Sequence, residues 1–266
     1  MTFMLKAIIF DLDDTLLWDH KSVREAFKAT CAVVVEKYEI DPELLEERVR
    51  HHAEALYPTY ETYDFVSNIG IGTFEGMWGD FNDEGEDFKK LRETVPHYRK
   101  QAWLKGLQDL DIEDEKLAEK LAKVFPEERK KHIYLYDETI DVLNALKDKY
   151  RLLMLTNGSP DLQHTKLSLS PELSSYFDHI VISGEFGQGK PSTDIFNHAL
   201  RLIDVEKDEV IMIGDNPLTD ILGASKVGID SIWINHHDKE LEDITPTYEV
   251  NRLKEIIPII KSLSKS

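Results

Sequence analysis

Five short runs of apolar, β-prone residues constrain this chain more than any other feature: residues 7–12, 152–156, 179–183, 210–214 and 231–234. Each is close to continuously hydrophobic, the pattern of strands buried on both faces; a half-exposed strand would alternate. Helical spacings separate the last four. Ile140, Leu143 and Leu146 mark one helix, Ile195, Ala199 and Ile203 another, and a third over residues 218–226 stops at Gly228. Strands that alternate with helices predict an α/β fold, a doubly wound parallel sheet.

Between the first and second runs the texture changes. Val23, Phe27, Val34 and Tyr38 recur at helical spacing. Asp41 caps a second helix, with Pro42 at its first position and Leu45, Val49 and Leu56 on one face. Further helices are predicted over 96–107 and 117–125, and no strand pattern of similar quality occurs there. Residues 18–136 therefore read as an inserted helical cap domain, and residues 1–17 and 137–266 as the core domain. Leu253, Ile256, Ile257 and Ile260 predict a last helix closing that core.

The ends of the runs carry the polar chemistry. The first ends in Asp11-Leu12-Asp13-Asp14-Thr15, three carboxylates that are costly to crowd together unless a cation compensates. The second ends in Thr156-Asn157-Gly158-Ser159-Pro160, where Ser159 suits an N-cap and leaves backbone N–H groups free to cradle an anion. Lys190 follows two glycines, Gly187 and Gly189, after the third. The fourth ends in Gly214-Asp215-Asn216-Pro217-Leu218-Thr219-Asp220. Taken singly, each is also an ordinary turn: a solvated acidic bend, a helix cap, a surface lysine, an acid in a first helical turn. Ligands of an open parallel sheet bind beyond the carboxyl ends of its strands, and four consecutive ends here supply carboxylates, a hydroxyl, an ammonium and carboxylates.

This ordered set resembles the haloacid dehalogenase superfamily of hydrolases, whose four motifs match Asp11–Thr15, Thr156, Lys190 and Gly214–Asp220. The resemblance spans the whole chain, since the insertion sits where that family places its helical cap. It implies a phosphatase in which Asp11 is the nucleophile, forming an aspartyl-phosphate, and Asp13 is the general acid and base. It implies Mg²⁺ held by the Asp11 carboxylate, the Asp13 carbonyl and the Asp215 carboxylate. Thr156, Asn157 and Lys190 would hold the phosphate, with Thr15 and Asp220 orienting these groups. Dehalogenases of the family lack an acid at the second position, because a halide leaves without a proton; Asp13 thus favours phosphate-ester hydrolysis. Overall resemblance to bacterial members of this length points to phosphoserine. Nucleotides, sugar phosphates and a phosphomutase reaction are the alternatives. A receiver-type phosphorylation switch, the non-enzymatic alternative, carries its acid pair and its phosphoacceptor on different strands and has no helical insertion of this size.

Charge and composition limit the partners. With 32 Lys+Arg against 51 Asp+Glu the net charge is −19, which repels nucleic acid and anionic membranes and leaves a small phosphorylated metabolite as the expected partner. Cys31 is the only cysteine, so neither an intrachain disulfide nor a thiolate zinc site can form. No apolar run approaches a membrane span, and the early apolar residues run straight into acids without a signal-type cleavage site; the cytoplasm is the expected location. Residues 68–85 interleave five glycines with Phe74, Trp78 and Phe81. They fit a hinge whose aromatics are buried against the cap helices, or a substrate loop. Trp18, His20, Lys21 and Arg24, just after the first motif, fit either solvated positions or an overhang of the site.

Overall fold

A computed structural model of the chain describes residues 4–241 and 243–263. Among these residues six parallel strands form one sheet: β1 (Ala7–Phe10), β2 (Arg151–Thr156), β3 (His179–Ile182), β4 (Val210–Gly214), β5 (Asp230–Ile234) and β6 (Tyr248–Val250). Their order is β3-β2-β1-β4-β5-β6, so β1 is central and the chain leaves it toward opposite edges. This is the expected doubly wound α/β fold. On one face of the sheet Ile9, Leu153, Leu155 and Met212 pack against Ile195, Phe196, Ala199 and Ile203 of the helix Thr193–Ile203. The alternate residues Ile8, Phe10, Leu152 and Met154 are also fully buried, which explains the unbroken hydrophobicity of the runs. β6 was not expected. It is three residues long, with an exposed Glu249 at its centre, too short to show a period.

The chain divides into two compact units. One takes the residues up to Trp18, Leu135–Asn157 and the chain from Ser170 onward, and holds the sheet; the other takes Asp19–Tyr134 and Gly158–Leu169. The second unit is helical, built from Asp19–Val35, Pro42–Leu56, Tyr63–Ile69, Thr73–Gly76, Glu86–Gln108, Glu115–Lys131 and Pro160–Ser168. Phe27 is at its centre, with ring centroids 4.5 Å from Phe125, 5.8 Å from Trp103 and 5.9 Å from Phe74. Asp41 accepts from Glu43 N at 2.9 Å, the cap expected there. No described helix is long and apolar enough to cross a membrane.

Several boundaries differ from expectation for identifiable reasons. The helix expected at Pro96 begins at Glu86 and runs through the proline. Pro96 and Arg92, whose carbonyl loses its partner, both lie on the exposed face, where water can replace the missing donor. Phe88, Leu91, Val95, Tyr98 and Ala102 bury the opposite face. The helix expected over 117–125 likewise extends over Glu115–Lys131, with Pro126 inside it. Within the segment 68–85, Trp78 and Phe81 are buried in the helical unit, with the Arg129 guanidinium 4.8 Å from the Trp78 ring, while Asn68, Asp80, Asn82 and Glu84 are exposed. Of the residues after the first motif, Arg24 and His20 are exposed, Lys21 lies over the Tyr134 ring and Trp18 stacks on Tyr136.

Candidate active site

β1 ends at Phe10, yet Asp11 keeps one sheet bond, its N–H donating to the Ile213 carbonyl at 2.9 Å. Beyond it the chain coils tightly: the N–H groups of Leu16 and Leu17 both return to the Leu12 carbonyl at 2.9 Å. Asp14 takes a left-handed conformation, φ 56°, inside this coil. Asp11 is thereby held at the carboxyl edge of the central strand, 7% exposed.

Lys190 reaches the same point from the loop after β3. Its ammonium lies 2.5 Å from Asp11 Oδ1, 2.7 Å from Asp220 Oδ1 and 2.7 Å from the Leu155 carbonyl. Burial alone would lower its pKa, but the two carboxylates outweigh burial and keep the amine firmly protonated. The loop is locked to the end of β2 by one side chain. Asn157 Oδ1 accepts from Lys190 N at 2.8 Å while its Nδ2 donates to the Lys190 carbonyl at 3.0 Å. A Cβ on Gly189 would come within 2.8 Å of Asn157 Oδ1, so a side chain there would break the lock. Thr156, fully buried, and the backbone of Asn157 end β2 beside it, and Ser159 caps the following helix by accepting from Leu162 N at 3.2 Å.

The fourth strand end completes the set. Pro217–Ile221 forms a single π-helical turn before the helix Leu222–Val227, instead of the regular helix expected over 218–226; as expected, that helix stops at Gly228. The turn buries Asp220 completely, with Oδ2 accepting from Asn216 N at 3.1 Å. A Cβ at Gly214 would stand 2.2 Å from that carboxylate, which is why glycine ends β4. Thr15 bridges Asp11 and Asp215: its Oγ1 accepts from Asp215 N at 3.1 Å and lies 3.3 Å from Asp11 Oδ2 and 3.4 Å from Asp215 Oδ1.

The structure thus gathers Asp11, Thr15, Thr156, Asn157, Lys190, Asp215 and Asp220 at one edge of one sheet. Asp13 is half-buried in the coil, bridged through its backbone to Leu17. Three contributors were not anticipated. Trp233 Nε1 donates to the Asp215 carbonyl at 2.8 Å, the Leu155 carbonyl holds the Lys190 ammonium, and His236 lies against Asp14. Trp233 lies in the fifth strand and His236 just beyond it, where an Asn-His-His run ends the apolar pattern.

Burial pushes the Asp11 carboxyl up to about 6, Lys190 opposing it and Asp220 adding to it. Asp215 is raised well above the ordinary carboxylate range by burial and then by Asp11, Asp220 and Asp14. One ammonium serves Asp11 and Asp220, which leaves Asp215 and Asp11 mutually repelling. Oxygens of Asp11, Asp215 and Asp220 lie within 4.8 Å of one another. An all-oxygen donor set with uncompensated negative charge fits a hard divalent cation. Both Asp220 oxygens are closely held, Oδ1 by Lys190 and Oδ2 by Asn216 N, whereas Lys190 takes only Oδ1 of Asp11, so Asp11 Oδ2 and the Asp215 carboxylate are best placed to receive a metal.

A doubly wound α/β core with paired carboxylates and a buried lysine on its carboxyl edge is the architecture of a class of hydrolases. The chain matches the profile of the haloacid dehalogenase-like hydrolases over residues 5–228 and belongs to that family. It is 30% identical to a phosphoserine phosphatase of Thermus thermophilus, across 95% of this chain and 98% of that protein. Among solved structures, the putative HAD-hydrolase YfnB of Bacillus subtilis, bound to magnesium, superposes with a TM-score of 0.68 at 20% identity, covering 97% of this chain and 99% of that one. An L-2-haloacid dehalogenase of Xanthobacter autotrophicus superposes with a TM-score of 0.62 at 16% identity, covering 97% and 99%.

Proposed function

We propose that this protein is a magnesium-dependent phosphomonoesterase acting through an aspartyl-phosphate on Asp11, with phosphoserine as the first substrate to test. The observation that carries it is the buried Asp11 carboxylate, 2.5 Å from Lys190, beside the Thr156–Asn157 strand end and with a second acid, Asp13, two residues on.

In the first step an Asp11 oxygen attacks phosphorus, the ester P–O bond breaks, and Asp13 gives its proton to the departing alkoxide. Thr156, the Asn157 backbone and Lys190 hold the nonbridging oxygens. In the second step Asp13 takes a proton from water, the hydroxyl adds to phosphorus, and Asp11 leaves as carboxylate with release of inorganic phosphate. Asp11, the Asp13 carbonyl and Asp215 would hold Mg²⁺, which when bound neutralises the charge gathered on the phosphoryl oxygens. Asp220 keeps Lys190 aimed, and Thr15 ties Asp215 to Asp11.

Similarity to a dehalogenase at 16% identity shows a shared fold. Asp13 separates the two chemistries, because an alkoxide needs a proton and a halide does not. The phosphoserine assignment rests on the 30% identity over nearly both full lengths. A screen of phosphorylated metabolites with Mg²⁺, reading inorganic phosphate, tests it. Serine phosphate should lead the ranking, and acid-quenched enzyme should carry phosphate on Asp11. Absence of turnover on every ester, or one phosphoryl group per chain without release, would overturn the reading.

A further inference from the structure

Two residues beyond β5 the chain comes back to the first motif. His236 Nε2 lies 2.9 Å from the Asp14 carbonyl oxygen. A carbonyl only accepts, so Nε2 carries the hydrogen and donates it. The imidazole is held from its face as well: Tyr136 stacks on it at 4.5 Å with the planes 9° apart, and Trp18 stacks on Tyr136 at 5.1 Å and 13°. Tyr136 is itself fixed, its N–H donating to the Leu16 carbonyl at 3.2 Å. The ring therefore approaches Asp14 in one orientation. Burial lowers its pKa despite the flanking Asp14 and Asn251 backbone, so the neutral ring, one N–H and one lone pair, is the form present near neutrality.

Asp14 needs such a partner. Its left-handed backbone, φ 56°, is a conformation that a residue with a side chain adopts only at a cost. Its peptide is pinned on both sides, N–H to the Leu17 carbonyl at 2.6 Å and carbonyl to His236. Asp13 lies between this pinned residue and the strand end that carries Asp11. Its backbone has no independent freedom once both neighbours are fixed.

We propose that His236 is a positioning residue: through the Asp14 carbonyl it holds the coil that aims the Asp13 carboxyl at the leaving-group oxygen. The proposal rests on the reading of Asp13 as general acid and base given above. It assigns the fifth strand end a part in the chemistry that the four motifs omit.

The test separates proton delivery from folding. His236→Phe keeps a ring to stack on Tyr136 and loses the donor; His236→Gln returns an N–H at the depth of Nε2. Rapid-quench rates of phosphoenzyme formation are compared for serine phosphate, whose alkoxide needs a proton, and for an aryl phosphate with an acidic phenol, which departs unassisted. Asp13→Ala, measured alongside, sets the full leaving-group effect. His236→Phe should slow the alkyl ester about 10-fold or more and the aryl ester less than about 3-fold, and His236→Gln should restore most of the loss. Equal slowing of both esters by His236→Phe, or no slowing of either, overturns the proposal while a clear split in Asp13→Ala leaves the reading of Asp13 standing. No split in Asp13→Ala overturns both. If His236→Phe does not fold, Tyr136→Leu, which strips the ring of its support and keeps its donor, is judged by the same ratio of alkyl to aryl rates.

Discussion

Asn157 and Lys190 bond each other through both ends of one amide, Oδ1 accepting from the lysine N–H at 2.8 Å and Nδ2 donating to its carbonyl at 3.0 Å. This pairing sets where the ammonium of Lys190 can stand, because it fixes the backbone from which that side chain reaches Asp11. It also ties the ends of two neighbouring strands, β2 and β3, to each other.

Asn157→Ala removes both bonds. The loss should cost about 2 kcal/mol of stability, at about 1 kcal/mol per bond. Turnover should fall more than stability suggests, about 10- to 100-fold, since displacing a charge by an ångström degrades its alignment. Gly189→Ala should reproduce much of this effect, because its Cβ meets Asn157 Oδ1 at 2.8 Å. Steady-state kinetics and thermal melts on both variants check the prediction. Wild-type turnover in Asn157→Ala would show that the lysine loop holds itself.

Asp11→Asn should abolish turnover, by about 10⁴-fold or more, in a protein that still folds. The substitution leaves one amide oxygen that can still accept from Lys190 and places the NH2 where it can donate to Thr15 Oγ1. It also removes one of the carboxylates that push Asp215 up, so stability should stay within about 1 kcal/mol of the parent. Phosphate release near the wild-type rate by a well-folded mutant would refute Asp11 as the nucleophile.

The four strand ends were legible because each joins an apolar run to a polar group whose type is unusual there. The sheet was legible because burial on both faces leaves a continuous hydrophobic run. The fifth strand end was passed over although Asn235-His236-His237 follows Ile234 directly; histidines after a strand are common, and only the fold shows that this one faces Asp14. The start of the helix at Glu86 was hidden by Pro96, which marks a first helical position in sequence and here sits on a solvated face. The aromatics of residues 68–85 were legible as apolar, but their placement depends on packing partners far along the chain, such as Arg129 against Trp78. Asp220 was legible as an acid in a helical turn. Its aim at Lys190 depends on the π-turn and on the absence of a side chain at Gly214.

Removing divalent metal should abolish turnover, and Mg²⁺ should restore it where Ca²⁺ does not. Calcium accepts more ligands and can draw both oxygens of Asp11 onto itself, which spoils in-line attack. The melting temperature should rise with the logarithm of Mg²⁺ concentration, by an amount equivalent to about 2.7 kcal/mol at a hundredfold excess over Kd. Asp215→Asn should lose most of that rise, while Asp220→Asn should lose activity and keep more of it, because Asp220 already serves Lys190. Full activity after rigorous chelation would refute a metal requirement.

The last prediction concerns acid stability in the helical unit. Asp114 caps the helix Glu115–Lys131, accepting from Leu117 N at 3.0 Å, and also takes Lys37 Nζ at 2.5 Å and Tyr38 Oη at 3.0 Å. The Lys37 bond first, then the cap and the tyrosine, hold its carboxyl down to about 2, below its ordinary value of 3.8. A carboxyl depressed in the folded state binds its proton more readily when unfolded. Its stabilising effect is therefore complete above about pH 4 and is lost as the pH falls toward 2. Asp114→Asn keeps an acceptor for Leu117 N but has no charge to titrate. Denaturation curves between pH 5 and 2 should show the wild type losing stability faster than Asp114→Asn across that window. The difference should shrink in 1 M salt, because the group and its lysine partner lie near solvent and are screened there. Parallel curves for the two proteins would mean that Lys37 and Asp114 contribute no net coupling, and that Asp114 acts through its capping hydrogen bond alone.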